Sequence, residues 1–394
     1  MSVFRRLSAR GLVVLLGSIM TFGAAAAVVA MTAFGGSGTT PPAEPLSQAI
    51  HDALTATPVD GVTARISFTN NLLGSSALGS LAGASGSPLL SGASGRLWLT
   101  NDGHLRLELQ SEAGDAQIVS DGKTLTVYDA SSNTAYELAL PAPKADSTTP
   151  DHTVPAVSEI DSALAQLATY ANVSDPLPGS TAGQPSYTVT VSPKANGGLV
   201  GSAELGWDAA TGVPLHAAIY AKGDTTPVLD LTATDISYGP VASSDVDITP
   251  PAGAKIVTLN LPTASGTKTK ATPVTGLDAV AAAVSFKLAA PDTLDGLARS
   301  DVRLLGSGAD AGALVTYGEG LSSIVVTEHT ADSAKTAVSP LDLLPSVTIN
   351  GATGHELVTA LGTVVQYSSG GVAYTVAGSV TQSDAETAAR ALTS

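Results

Sequence analysis

Apolar and polar residues alternate with a period of two along much of the chain between residues 60 and 235. In VTARISFT, residues 62–69, and in HLRLELQ, residues 104–110, every second residue is apolar. Such alternation is typical of antiparallel strands that bury one face. The apolar positions of these segments are Val62, Ala64, Ile66 and Phe68, and Leu105, Leu107 and Leu109. The pattern predicts a sheet with one apolar face.

The alternation resumes after residue 185 and predicts roughly eight or more strands in all. Its apolar positions are Tyr187, Val189 and Val191, then Leu199, Ala203, Leu205 and Trp207, then Leu215, Ala217 and Ile219, and then Leu229, Leu231 and Ala233. A spacing of four residues predicts an inserted helix over 46–55, and a second helix is expected over 157–170. The hairpin turns at 101–103 and 208–212 contain Asp, which caps its own turn, and Gly, which adopts positive φ.

A second unit is predicted from residue 274 to residue 394, after a Thr-rich linker over 259–273. Strands are expected at Ala313–Tyr317, Ile324–Thr327, Val347–Ile349, Val364–Tyr367 and Val372–Ala377. The closing helix is predicted to start at a capping box formed by Ser383 and Glu386. The second unit is therefore expected to be a smaller α+β domain.

The N-terminal segment, residues 1–34, predicts a membrane anchor. Gly11–Phe34 contains 24 residues without a charge, whereas a spanning helix needs about 20 and a signal-peptide core about 7 to 15. Arg5, Arg6 and Arg10 precede it, which places the N-terminus in the cytoplasm and the body outside the membrane. The small residues Ala24–Ala27 leave cleavage, and hence secretion, as an alternative. Residues 35–45 are expected to be a linker, with the first domain over 46–258.

Charge and composition narrow the partners that the body could bind. The net charge is −16, and an acidic body disfavours nucleic acid because it repels phosphates. The chain has no Cys, so it has neither a disulfide nor a thiolate metal site. No cofactor and no metal are expected.

Each catalytic motif in the sequence is incomplete. HELVT at His355 lacks the second His of a zinc site, because Thr359 stands in its place. SDGK at Ser120 has the spacing of acyl enzymes but lies on a predicted turn instead of a helix. Two GASG segments lack the last Gly of a nucleophile elbow, and the six His are scattered, with His104 and His216 on polar strand faces. We therefore expect a binding protein and not an enzyme.

An insert over Leu72–Gly95 separates the first two strands and carries leucines in a Gly- and Ser-rich background. A polar linker would not contain so many leucines. Two interpretations stay open: a disordered insert that buries some leucines on the nearest core, or an apolar flap over a ligand groove. The flap residues would be Leu72, Leu73, Leu78, Leu81, Leu89 and Leu90.

The order of elements resembles the LolA-like superfamily, which includes lipoprotein carriers and RseB/MucB envelope-stress regulators. The resemblance covers roughly residues 45–258, and its most specific pieces are the D-x-x-T-G-x-P hairpin, Asp208–Pro214, and the later TPPAGA. It implies an incomplete antiparallel β-barrel with inserted helices and an apolar concave side that holds acyl chains. The predicted lining residues are Val62, Ala64, Ile66, Phe68, Leu105, Leu107, Leu109, Val189, Val191, Leu205, Leu215 and Ile219.

These observations favour a membrane-anchored extracytoplasmic protein that binds lipid or acylated protein. Three alternatives remain. The apolar residues could pack on the inserted helices and fill the core. The protein could instead be an envelope sensor that contacts a membrane protein, such as a transmembrane anti-sigma factor or a transporter. Hydrolase activity ranks third among the candidate functions, after lipid binding and the envelope sensor.

Overall fold

The computed structural model describes residues 40–74, 87–112, 114–140, 154–194, 197–259, 274–308, 311–331 and 344–393. The chain is mostly β with few helices and divides into two compact units. Of the described residues, the first unit holds those in 40–71, 87–194 and 202–259, and the second holds those in 72–74, 197–201 and 274–393. Among them, no helix combines the length and apolar character needed to cross a bilayer. The predicted anchor, residues 1–34, and the linker residues 260–273 lie outside the described residues.

Thirteen described strands form the sheet of the first unit. They are β1 Gly61–Asn70, β2 Ala93–Thr100, β3 Leu105–Ser111, β4 Gly114–Ser120, β5 Thr124–Asp129, β6 Thr134–Ala139, β7 Ala171–Val173, β8 Leu177–Thr181, β9 Gln184–Pro193, β10 Val200–Asp208, β11 Pro214–Ala221, β12 Pro227–Tyr238 and β13 Lys255–Leu259. Its order is β13-β6-β5-β4-β3-β2-β1-β12-β11-β10-β9-β7, and β8 also pairs with β9. The predicted alternating strands are confirmed as neighbours in one sheet, and β13 pairs with β6 in parallel.

Four described helices accompany this sheet: α1 Leu46–Thr55, α2 Pro88–Ser91, α3 Val157–Leu167 and α4 Ser243–Val246. The bounds of α1 agree with the prediction, and Ala49 and Ile50 are buried on one side of the helix. The predicted second helix is shorter than expected and ends at Leu167. It begins with a bond from the Ala156 amide to Glu159. Helices α1 and α3 pack against each other.

The second unit has an eight-stranded described sheet of order β14-β15-β16-β17-β21-β20-β19-β18. Its elements are α5 Leu277–Ala281, β14 Thr293–Leu294, β15 Leu297–Leu305, β16 Gly312–Tyr317, β17 Ile324–Thr330, β18 Ser346–Ile349, β19 Ala352–Thr359, β20 Gly362–Ser369, β21 Val372–Gly378 and α6 Gln382–Leu392. All five predicted strands are present, and the sequence analysis missed β14, β15 and β19. Ala385, Ala388 and Ala389 of α6 are fully buried in the core of this unit.

The capping box predicted for the last helix is wrong. Thr381 is the N-cap residue, and its hydroxyl accepts a hydrogen bond from the Asp384 amide, while the Asp384 carboxylate accepts one from the Thr381 amide. Both Thr381–Asp384 and Ser383–Glu386 have the spacing of a capping box. The helix begins two residues earlier than predicted, so Ser383 and Glu386 lie within it.

Candidate functional site

One continuous apolar face runs across the first unit. Residues that pair directly in neighbouring antiparallel strands project to the same side of a sheet. Ala64 of β1 pairs with Leu97 of β2, which pairs with Leu107 of β3, and Leu107 pairs with Ile118 of β4. We call this side the apolar face. Beyond β4, the apolar face continues through Val127, Tyr136 and Val257 of β5, β6 and β13. Beyond β1, it continues through residues of β12 and β11, which are Ile236, Ala233, Leu231, Ala217 and Ile219.

Burial is uneven along the apolar face. Near β1 the side chains form a closed core, with Val62 3%, Ala64 4% and Ile66 5% exposed. From β2 to β6 most of the apolar side chains are only half-buried, and at the edge Tyr136 is 37% and Leu259 46% exposed. The half-buried residues are Leu97, Leu99, Leu105, Leu107, Ile118, Leu125, Val127 and Leu138. We call these eight residues the open strip.

The structure places the predicted lining residues in three environments. Leu105 and Leu107 belong to the open strip, and Phe68 is half-buried beside it. Val62, Ala64, Ile66, Leu109 and Leu215 lie in the adjoining buried cluster, and Ile219 is also buried. Val189 and Val191 are buried under α1 and α3, where Leu205 packs at the margin. The last group is covered by the chain's own helices.

The described parts of the insert divide between the two units. Leu89 of α2 packs on the buried cluster of the apolar face, and Leu90 is half-buried. Leu72 and Leu73 belong to the second unit, where the Leu72 carbonyl accepts a hydrogen bond from the Ala360 amide at 3.0 Å. Leu78 and Leu81 lie outside the described residues.

A cavity of about 220 Å³ lies at one end of the apolar face. Its lining is mostly apolar: Ala53, Leu54, Ala56, Pro58, Val59, Gly61, Val62, Leu99, Val213 and Pro214, with Thr100, Asn101, Thr211 and Gly212. Leu99 both lines this cavity and pairs directly with Leu105 of the open strip. The cavity and the open strip therefore share one surface.

The D-x-x-T-G-x-P hairpin builds one wall of this cavity. Asp208 is 1% exposed, and its Oδ1 accepts hydrogen bonds from the amides of Ala210 at 2.7 Å and Thr211 at 3.1 Å. The Tyr238 hydroxyl donates to Oδ2. Gly212 has φ +68° and contacts the backbone of Ala53 in α1. The predicted structural role of this motif is confirmed.

A second, more polar cavity of about 530 Å³ has His104 in its lining. His104 Nδ1 lies 3.0 Å from Asp247 Oδ1, and its Nε2 lies 4.0 Å from Asp102 Oδ2. A hydrogen bond from Thr100 is the largest cause that lowers the pKa of Asp102. The sequence predicts an isolated His104, whereas the structure pairs it with two carboxylates. Among the described residues, no three His, Asp or Glu side chains are arranged to hold a metal.

The polar side of the same sheet carries buried charge that the sequence analysis missed. Asp230 is 4% exposed, and its Oδ1 has no hydrogen-bond partner among the described residues. Burial raises the pKa of Asp230 to about 7, the nearby Glu204 acts in the same direction, and Thr232 opposes them. His216, predicted on a polar strand face, is half-buried there, and burial lowers its pKa to about 4.

No family model and no curated protein matches the chain. Solved structures give low-level similarity. MucB in complex with MucA(peri) has a TM-score of 0.40 and 16% identity over 87% of this chain and 94% of that chain. An uncharacterized conserved protein from Thermus thermophilus has a TM-score of 0.33 and 9% identity over 54% of this chain and 98% of that chain.

A Vibrio parahaemolyticus domain assigned to outer membrane lipoprotein sorting gives a TM-score of 0.19 and 10% identity, over 52% of this chain and 96% of that chain. MucB and lipoprotein-sorting domains are the kinds of protein that the sequence motifs resemble.

Proposed function

We propose that the first unit binds an apolar chain, such as an acyl chain of a lipid or an acylated protein, along the open strip. The observation that carries this proposal is the half-exposure of eight neighbouring apolar side chains that continue directly into a buried core. Burial of a methylene contributes about 0.8 kcal/mol, so a twelve-carbon chain gains on the order of 10 kcal/mol before ordering costs. In this proposal the unit is an incomplete barrel and not an enzyme.

The cavity beside Leu99 supports a defined end for such a ligand. Ligand pockets are mostly apolar with a few polar groups that orient the ligand, and this cavity combines apolar walls with Thr100, Asn101 and Thr211. Its volume of about 220 Å³ suits the end of one chain more than a whole lipid. The remainder of the chain would lie along the open strip.

The 24 uncharged residues Gly11–Phe34 support an N-terminal anchor, with the N-terminus in the cytoplasm and the body outside. An anchored protein acts on ligands at its own membrane surface and does not carry them across a compartment. Lipid, acylated protein or a membrane protein would be its partners, and the acidic body disfavours nucleic acid.

Replacing Ile118 with glutamine is expected to weaken binding of a dansyl-labelled undecanoic acid by about tenfold or more. Ile118 lies on the open strip, so a ligand bound there would bury the side-chain amide of the glutamine without a hydrogen-bond partner, which costs about 1–3 kcal/mol. Val119→Gln is the matched control, because the next residue is equally half-buried but projects to the opposite side of β4. Fluorescence titration of the full chain measures both affinities.

Equal binding by the two variants would contradict the proposed site. Native mass spectrometry of the full chain purified from its own membrane gives a second test, in which co-purified lipid is expected. The alternative of an envelope sensor would be favoured if the chain carries no lipid and cross-links to a membrane protein, and if Ile118→Gln leaves this cross-linking unchanged.

A further inference from the structure

We propose that residues 284–292 of the second unit form a strap that closes or opens according to the protonation of Glu328. The strap connects α5 with β14 and has irregular backbone throughout. Val284, Phe286 and Leu288 are half-buried and pack on the core of the unit. Opening of the strap would therefore uncover an apolar surface of the second unit.

Glu328 lies in the core directly beneath the strap. It is on β17, on the same side as Ile324 and Val326, and all three residues are 0% exposed. Its Oε2 accepts a hydrogen bond from the Ala289 amide of the strap at 2.9 Å. Its Oε1 has no hydrogen-bond partner among the described residues. One bond to a backbone amide does not replace the hydration that an ionised carboxylate loses on burial.

The groups around Glu328 supply no compensating charge. The elements packed on it contribute the tyrosines Tyr317, Tyr367 and Tyr374, whose pKa values burial raises, so they stay neutral. The ion pairs described in this unit are Arg299–Asp292, Arg303–Asp301 and Arg390–Glu386, which leave these cations engaged elsewhere. Asp278 of α5 and Lys287 of the strap are exposed.

Arg299 fixes the end of the strap that would act as its pivot. Its guanidinium donates to the Ala290 carbonyl and to Asp292 Oδ1, the latter at 2.9 Å. These bonds hold residues 290–292 to β15, whereas Glu328 holds residue 289. The part of the strap free to move is therefore the N-terminal part, over residues 284–289.

Ionisation of Glu328 favours opening. Burial raises the pKa of Glu328 to about 7, while an exposed glutamate has an ordinary value of 4.5. Below pH 4.5 the carboxyl is neutral in both states, and the closed strap is stable. Between pH 4.5 and about pH 7 the carboxyl ionises more readily when the strap is open, because only then is the charge hydrated. The open state is therefore increasingly favoured as the pH rises.

Hydrogen exchange of the full chain between pH 5 and pH 8 tests the strap. The exchange rate of peptides covering residues 284–289 is divided by the rate in Glu328→Gln at the same pH, which cancels the intrinsic pH dependence of exchange. We expect this ratio to rise about tenfold per pH unit between pH 5 and pH 7 and then to level off. Glu328→Met provides a second neutral reference should the glutamine variant fold poorly.

Glu356→Gln is the matched control. Glu356 is 9% exposed and also has a carboxylate oxygen without a partner, but it lies on β19 and is bonded by Gln382 of α6. Its substitution should leave the strap ratio unchanged. A ratio independent of pH would overturn the proposal, and so would an equal rise in the peptides of β16 and β21, which would mean that the whole unit opens.

Discussion

Replacing Gly212 with alanine is expected to lower the free energy of unfolding of the first unit by about 3 kcal/mol. Gly212 has φ +68°, a conformation that costs other residues about 1–2 kcal/mol. An added Cβ would also lie 2.5 Å from the carbonyl oxygen of Ala53 in α1. The Cβ has no rotatable bond and the atoms that it meets belong to the Ala53 backbone, so α1 must shift. Overpacking of this kind costs about 1–3 kcal/mol.

Gly183→Ala separates the two contributions to this loss. Gly183 has φ +76°, and its added Cβ would have no neighbour within 4 Å, so only the backbone cost of about 1–2 kcal/mol applies. Denaturant unfolding followed by tryptophan fluorescence reports on the first unit, because both tryptophans of the chain, Trp98 and Trp207, lie in it. Equal losses in the two variants would show that α1 does not press on the hairpin.

The apolar face of the first unit could be predicted because a strand has a fixed side-chain period. Once Val62 and Ala64 are assigned to one side, the pairing with Leu99 and Leu97 follows from the same alternation, and a slip by one residue would have exposed all of them. The turn residues Asp208 and Gly212 were likewise predictable, because Asp and Gly have distinct backbone roles.

Other features depend on contacts between distant parts of the chain. The parallel pairing of Lys255–Leu259 with β6 joins segments more than a hundred residues apart, and five residues contain no signal for it. The alternation assigns Asp230 and His216 to the polar side of the sheet, but it cannot show whether that side faces water. Uneven burial along the apolar face has the same origin, because it depends on which distant side chains, such as Leu89 and Val213, pack on that face.

Replacing Asp230 with asparagine is expected to stabilise the first unit at pH 8 by about 3–4 kcal/mol and to leave it nearly unchanged at pH 4. The pKa of Asp230 is about 7 in the folded chain against an ordinary value of 3.8. Between these values the unfolded chain loses a proton that the folded chain retains, so stability falls as the pH rises and levels off above pH 7. Asparagine does not titrate, and this part of the pH dependence disappears.

Tryptophan fluorescence during urea unfolding at pH 4, 6 and 8 measures this effect in the first unit. Asp235→Asn is the control on the same strand, since the Asp235 side chain is 70% exposed and its pairing with Arg65 across 4.0 Å contributes little. The difference between Asp230→Asn and the parent chain should grow from pH 4 to pH 8, whereas the difference for Asp235→Asn should stay small. A constant difference for Asp230→Asn would mean that water reaches its carboxylate in the folded chain. The burial of charge on the polar side of the sheet would then not control the stability of the first unit.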